Sequence, residues 1–370
     1  MAAAGPGLEG RPWLLLTLIT LLWLGGAVPS ATAHDDDGDD RDGGVERFAT
    51  LPKPGPGFPE GIAADRAGNI YVATFDFTQT NNIYVFRHDG RLKTTIPLPG
   101  AAPLGLAFSD AGDLYVADFL NGNVLKFVPP FTASSTPAAT LHVCGGNGAN
   151  CALNAITFDA AGNLYVSDSF GGKVFKIALP AGGALTTFVA HDLLTPGSHG
   201  FPPFGANGLA FSADGTQLFI ANTADDRILK YDVALKTVTV FAESINGADG
   251  IAFDHRGRLW VCANQADELV ALNAKGRVVE RRGSFRGIAH DGAAKGLLFP
   301  ASLVFSRGAI YVRNLALPLT EAQGDKPEED VTTYTVARIP IDGATGVGRD
   351  RAGLSLSSPG SRAARARRKA

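Results

Sequence analysis

A chain of 370 residues with 45% hydrophobic and 19% charged side chains is long enough for one large domain or two ordinary ones, and its balance excludes disorder as the default. Its 45 glycines and 22 prolines, against one methionine, point to many turns and short strands rather than long helices. A net charge of -3 excludes the globally basic surface that holds nucleic acid or an anionic membrane, so no nucleic-acid partner is expected.

At the N-terminus, Arg11 precedes an apolar run from Trp13 to Val28 and the small-residue exit "PSATA", the pattern of a secretory signal (1–33) cleaved after Ala33. The run is shorter than the ~20 apolar residues that span a bilayer. No stable membrane insertion is therefore expected, and the mature protein is expected to be secreted or periplasmic. Residues 34–43 are dense in aspartate, and residues 346–370 end in "SRAARARRKA". Neither stretch has anything to bury, so both read as disordered tails around a domain at 44–345. Cys144 and Cys151 bracket "GGNGAN", a flexible connection compatible with a disulfide in an oxidising compartment. Cys262, in the apolar run "LWVCAN" with no histidine beside it, reads as a small buried hydrophobe rather than a nucleophile.

Between the tails the chain repeats itself. "VERFATLP" is an extra strand before the first copy, and then "EGIAADRAGNIYVAT" begins at Glu60, "LGLAFSDAGDLYVAD" at Leu104 and "NAITFDAAGNLYVSD" at Asn154. "NGLAFSADGTQLFIAN" begins at Asn207, "DGIAFDHRGRLWVCAN" at Asp249, and a weaker copy, "ASLVFSRGAIYVRN", at Ala301. In each, an apolar run enters Asp/Ser-x-x-Gly or a close variant and a second run returns, which predicts an antiparallel hairpin. Further strands such as "NIYVFRHDG" and "KTTIPLP" bring the unit to four. Four short strands at a spacing of 42 to 53 residues predict an all-β fold, a six-bladed β-propeller. An open solenoid would need capping repeats; instead the N-terminal strand is expected to complete the last blade and close the ring, which removes the exposed edges.

The innermost strand of each blade lines the channel, so the residues that open the copies should form a ring. Glu60, Asn154, Asn207 and Asp249 are polar members, and Leu104 and Ala301 are apolar ones. Taken singly, Asn-Gly or Asp-Gly is a common turn dipeptide. Taken together, two carboxylates and two amide carbonyls offer oxygen donors only, which suits calcium or another hard divalent cation. No His/Cys cluster proposes zinc. The ends of the second strands, Thr74, Asp118, Asp168, Asn222, Asn264 and Asn314, are expected on the same face as pocket wall or as simple strand caps. Asn222 and Asn264 are the preferred substrate contacts because they share blades with Asn207 and Asp249. Loops on that face carry His191, His199, Phe201, Phe204, His290 and Asp291, with His290 taken as a further substrate contact, and "LALPLTEAQGDKPEEDV" reads as a lid or an exposed insertion.

With "PEGIA", "ANGLAFSADG" and "ADGIAFDHRGRLWVC" in view, the chain resembles the gluconolactonase, senescence-marker-protein and luciferin-regenerating-enzyme family, six-bladed propellers with NHL-like repeats, over about residues 55–320. The resemblance implies a catalytic divalent ion in the channel held by Glu60, Asn154, Asn207 and Asp249. Where sugar-lactone members carry an arginine and an acid around the first Asn, this chain has Ala152 and Ala155, so the polyol contacts are missing. The expected function is a secreted, metal-dependent hydrolase of small lactones or related esters, the ion polarising the substrate carbonyl. Asp249 is the expected catalytic residue, as base, nucleophile or ligand only; a bound cation lowers its basicity and favours the last two. The alternative is a non-catalytic NHL-type propeller that binds a ligand or protein, since fold alone does not choose a function.

Overall fold

The computed structural model describes residues 44–52, 57–77, 80–145, 151–179, 183–197, 202–317 and 330–341. The expected signal sequence, the acidic stretch and the basic tail lie outside these residues, as do His199, Phe201 and most of the expected lid. The repeated Asp/Ser-x-x-Gly closes the first hairpin of blades 1 to 5. Gly68, Gly112, Gly162, Gly215 and Gly257 stand at φ between +70° and +85°, which glycine adopts without steric cost. Each returns its N–H to the carbonyl of the residue three before it, Asp65, Ser109, Asp159, Ser212 or Asp254. The turn aspartate is also an anchor. Asp159 accepts from Asn163 Nδ2 at 2.8 Å and from the Tyr165 hydroxyl at 2.9 Å, and Asp254 accepts from Trp260 Nε1 at 3.0 Å. The sixth copy looks weaker because its hairpin is shorter, turning on Arg307 and Gly308 alone, both at positive φ.

Among the described residues the strands form six four-stranded antiparallel sheets and one two-stranded hairpin. The innermost strands are Phe58–Ala64, Pro103–Phe108, Leu153–Phe158, Ala206–Phe211, Ala248–Phe253 and Pro300–Ser306. They neighbour one another in order, the sixth lying beside the first. Thus the architecture is an all-β six-bladed propeller. The N-terminal strand Glu46–Thr50 pairs with Thr335–Pro340 and is the outermost strand of blade 6, so the ring closes as the sequence predicts.

The core is divided among the blade interfaces. Six apolar clusters each draw on two adjacent blades; that between blades 6 and 1 combines Ala49, Ile70, Val72, Tyr311 and Val336. Burial of the larger side chains, each worth roughly 1.5–3 kcal/mol, holds the first and last blades together. Cys144 and Cys151 are bonded, tying the link into blade 3, and Cys262 is free and buried. No described helix is long and apolar enough to cross a membrane.

Candidate functional site

Every innermost strand breaks register where it reaches the ring position. The shift falls between Pro59 and Ile62, Pro103 and Leu106, Leu153 and Ile156, Ala206 and Leu209, Ala248 and Ile251, and Pro300 and Ser302. A bulge at this point takes the ring residue out of the ladder and re-aims its side chain. The Asn-Gly and Asp-Gly dipeptides are therefore within strands, not turns. Their glycines answer to a close approach: a Cβ on Gly61 would lie 1.9 Å from the Leu104 carbonyl oxygen, on Gly105 2.3 Å from that of Asn154, and on Gly208 2.3 Å from that of Asp249. Each glycine lets the next blade's ring residue press against its own strand.

The ring residues are almost wholly buried, with Glu60 6%, Asn154 4%, Asn207 2% and Asp249 5% exposed. The two amides are oriented by relays that cross between blades. Ser169 donates its hydroxyl to Ala206 O at 2.7 Å, so its oxygen accepts from Asn154 Nδ2 at 3.3 Å. Thr223 likewise donates to Ala248 O at 2.7 Å and accepts from Asn207 Nδ2 at 2.9 Å. One N–H of each amide is thereby fixed, which sets the plane of the side chain and the direction of its carbonyl oxygen.

Asn264 belongs to this supporting set. Ala248 pairs with Ala263, whereas Ala206 pairs with Asn222 and Leu153 with Asp168, so Asn264 falls one residue beyond Asn222 and matches Thr223 and Ser169. Its Nδ2 donates to Asp249 Oδ2 at 3.1 Å. Asn222 does other work: its amide donates to Leu193 O and Thr195 O and is fully buried, which commits it to the link between blades 3 and 4. Asp118 and Asp168 do the same for their links, accepting from Ala102 N and Ala152 N. His290 is exposed in the turn of the hairpin Phe285–Ile288 and Ala294–Gly296, beside Asp291, which Arg47 of the outermost strand of blade 6 holds. The structure thus brings Glu60, Asn207, Asp249 and Asn264 into one cluster at the channel and leaves Asn222 and His290 outside it.

One member had no counterpart in the sequence reading. Arg313, fully buried in the second strand of blade 6, pairs with Glu60 Oε2 at 3.1 Å and donates to Pro59 O. Burial pushes the Asp249 carboxyl well above the ordinary range, and the Glu60 carboxylate, from a blade that is not its neighbour, pushes the same way. Arg313 opposes both, as do hydrogen bonds from Asn264 and Asn207. Glu60 is also raised by burial, with Arg313 pulling it back. Arg313 thus touches Glu60 directly, and its charge opposes the rise at both acids.

A run of phenylalanines lies at the ends of the second strands and in the adjoining links. Where blades 3 to 5 carry Ser169, Thr223 and Asn264, blades 1 and 2 carry Phe75 and Phe119. Phe58, Phe75, Phe77, Phe119, Phe170 and Phe204 follow one another with centroids 5.7 to 6.2 Å apart, all half-buried. Of these the sequence singles out Phe204 alone, since phenylalanines are common in cores.

Residues 132–282, which include Asn154, Asn207 and Asp249, match the family described as SMP-30/Gluconolactonase/LRE-like region. The chain carries an SMP-30/gluconolactonase/LRE-like region. Solved structures similar in fold to this chain include a luciferin-regenerating enzyme, 16% identical with a TM-score of 0.60, covering 84% of this chain and 99% of that one. Regucalcin from Agrobacterium tumefaciens str. C58, described as a calcium-binding protein, is 18% identical with a TM-score of 0.55, covering 80% and 95%. Virginiamycin B lyase from Staphylococcus aureus is 13% identical with a TM-score of 0.52, covering 80% and 99%. At these identities the likeness is one of fold. No curated protein matches the sequence.

Two carboxylates and two amides from four blades carry the oxygen-donor chemistry that a hard divalent ion takes; among the described residues no three His, Cys, Asp or Glu side chains converge where they could hold a metal by themselves. The Glu60 oxygen held by Arg313 is the one donor already engaged by a cation.

Proposed function

We propose that the protein is an exported hydrolase of lactones or related esters that works with a divalent cation, calcium in the first instance, held by Glu60, Asn154, Asn207 and Asp249. The carrying observation is the run of strand bulges at the ring positions, with the two amides oriented by Ser169 and Thr223. The match to the gluconolactonase-like region and the fold shared with a calcium-binding regucalcin support it. A bound divalent ion would supply Lewis-acid polarisation of a carbonyl oxygen. The protein's own groups do the rest. Asp249, steadied by Asn264, is the group to attack or to orient water, and the buried walls keep bulk water from the reacting carbonyl.

The substrate follows from the mouth. With Ala152 and Ala155 in place of polyol-binding side chains and half-buried phenylalanines at the neighbouring strand ends, the site suits an apolar acyl or aryl portion rather than a polyhydroxylated ring. The disulfide between Cys144 and Cys151 agrees with export to an oxidising compartment. The purified mature chain should be assayed on aryl esters, alkyl lactones, gluconolactone and phosphotriesters, with calcium and with chelator. Turnover of the apolar carbonyl substrates, lost to chelator and restored by calcium, is expected. Silence across the panel would overturn the hydrolase and leave a binding scaffold.

A further inference from the structure

At the place in the second strand that Arg313 fills in blade 6, the other five blades carry Ala73, Ala117, Ser167, Ala221 and Cys262. Small side chains there leave the channel side of each bulge open, and a single arginine closes it. Its fork is spent on the site itself: Nη2 on Glu60 Oε2 at 3.1 Å and on Ser302 Oγ at 3.4 Å, Nη1 on the carbonyl of Pro59, the residue before Glu60. Nothing of it is exposed. Two buried carboxylates without a counter-charge repel one another and lose hydration; one guanidinium beside them removes half of that excess charge.

We propose that Arg313 is the resident cation of the ring, so that a divalent ion enters by exchange, taking over Glu60 from the guanidinium. This rests on the ion site proposed above. Arg313 then has two consequences. It keeps the metal-free ring assembled, and it holds the affinity for the ion down, because a like charge stays within a few ångströms of the site.

Calcium binding by calorimetry and thermal unfolding in chelator and in calcium test this on the wild type, Arg313→Met and Arg313→Lys. Arg313→Met is expected to bind calcium at least about tenfold more tightly, since one like charge at this range in a buried site is worth more than a decade of affinity. In chelator it should melt below the wild type, and calcium should restore it. Arg313→Lys should bind close to the wild type. Should Arg313→Met fail to fold, the wild type still reports: guanidinium N–H resonances of Arg313, protected in chelator, should shift along the calcium isotherm. Affinity unchanged or weakened in Arg313→Met, or resonances that ignore bound calcium, would overturn the exchange and leave the ion site standing. No calcium bound by any variant would overturn both.

Discussion

Asp249→Asn is expected to cut hydrolysis by roughly a thousandfold while leaving the metal-free fold at least as stable as the wild type. The rate loss follows if the substitution removes the attacking or water-orienting group and half the negative charge around the ion; Lewis-acid assistance is worth several kcal/mol, and about 1.4 kcal/mol is a decade in rate. The stability gain follows from the direction of the Asp249 shift. Burial and Glu60 raise the folded-state value, so the charged form is disfavoured in the native protein. An acid raised on folding favours the folded state fully below its unfolded value, and that advantage is lost as pH rises through the folded value. The metal-free wild type should accordingly melt higher at mildly acidic pH than near neutrality as far as this group is concerned, and Asp249→Asn should flatten the difference. Steady-state kinetics with circular-dichroism melting across pH reads both effects. A variant that keeps its activity removes Asp249 from the chemistry.

Gly61→Ala is expected to be among the most damaging single-methyl changes in the chain. Its Cβ would meet the Leu104 carbonyl oxygen at 1.9 Å, a backbone atom of the next blade's bulge that has no rotamer to escape into. Overpacking of this kind costs roughly 1–3 kcal/mol or more, which lowers the melting temperature by about 2–5 °C or more in a domain of this size. Gly112→Ala is the control: its φ is +85° but no atom lies within 4 Å, so it should cost only the backbone strain, roughly 1 kcal/mol. Equal losses for the two would mean that close approach does not explain the glycines of the ring.

The repeat made the propeller legible, because its signals are local. Alternating apolar runs, an Asp/Ser-x-x-Gly turn and an extra strand at the N-terminus each act within one hairpin, and the ring closure by Glu46–Thr50 follows from them. The ring residues were legible for the same reason: equivalent places in successive copies come to equivalent places around an axis. Register within a copy was less so. By sequence, Asn222 and Asn264 both end the second run of their copies, but the bulge and ladder of blade 5 set Asn264 one residue on, against Asp249. Asn222 showed the ordinary fate of a strand-end amide, holding the neighbouring link.

Arg313 was hidden by a different cause. Its neighbours in sequence, "IYVRN", give an ordinary strand, and its partners Pro59 and Glu60 are some 250 positions away, brought near only because the last blade closes against the first. The departure from small residues at that place in the other five copies was the available signal. The run of phenylalanines is of the same kind, assembled from strand ends and links of separate blades.

The most direct measurement is a crystal structure of the protein grown with calcium, with ion identity taken from anomalous scattering. The account predicts one calcium on the propeller axis, with oxygens of Glu60, Asn154, Asn207 and Asp249 about 2.3–2.6 Å away. A channel without calcium, or calcium bound at another place with Glu60 still given over to Arg313, would contradict it.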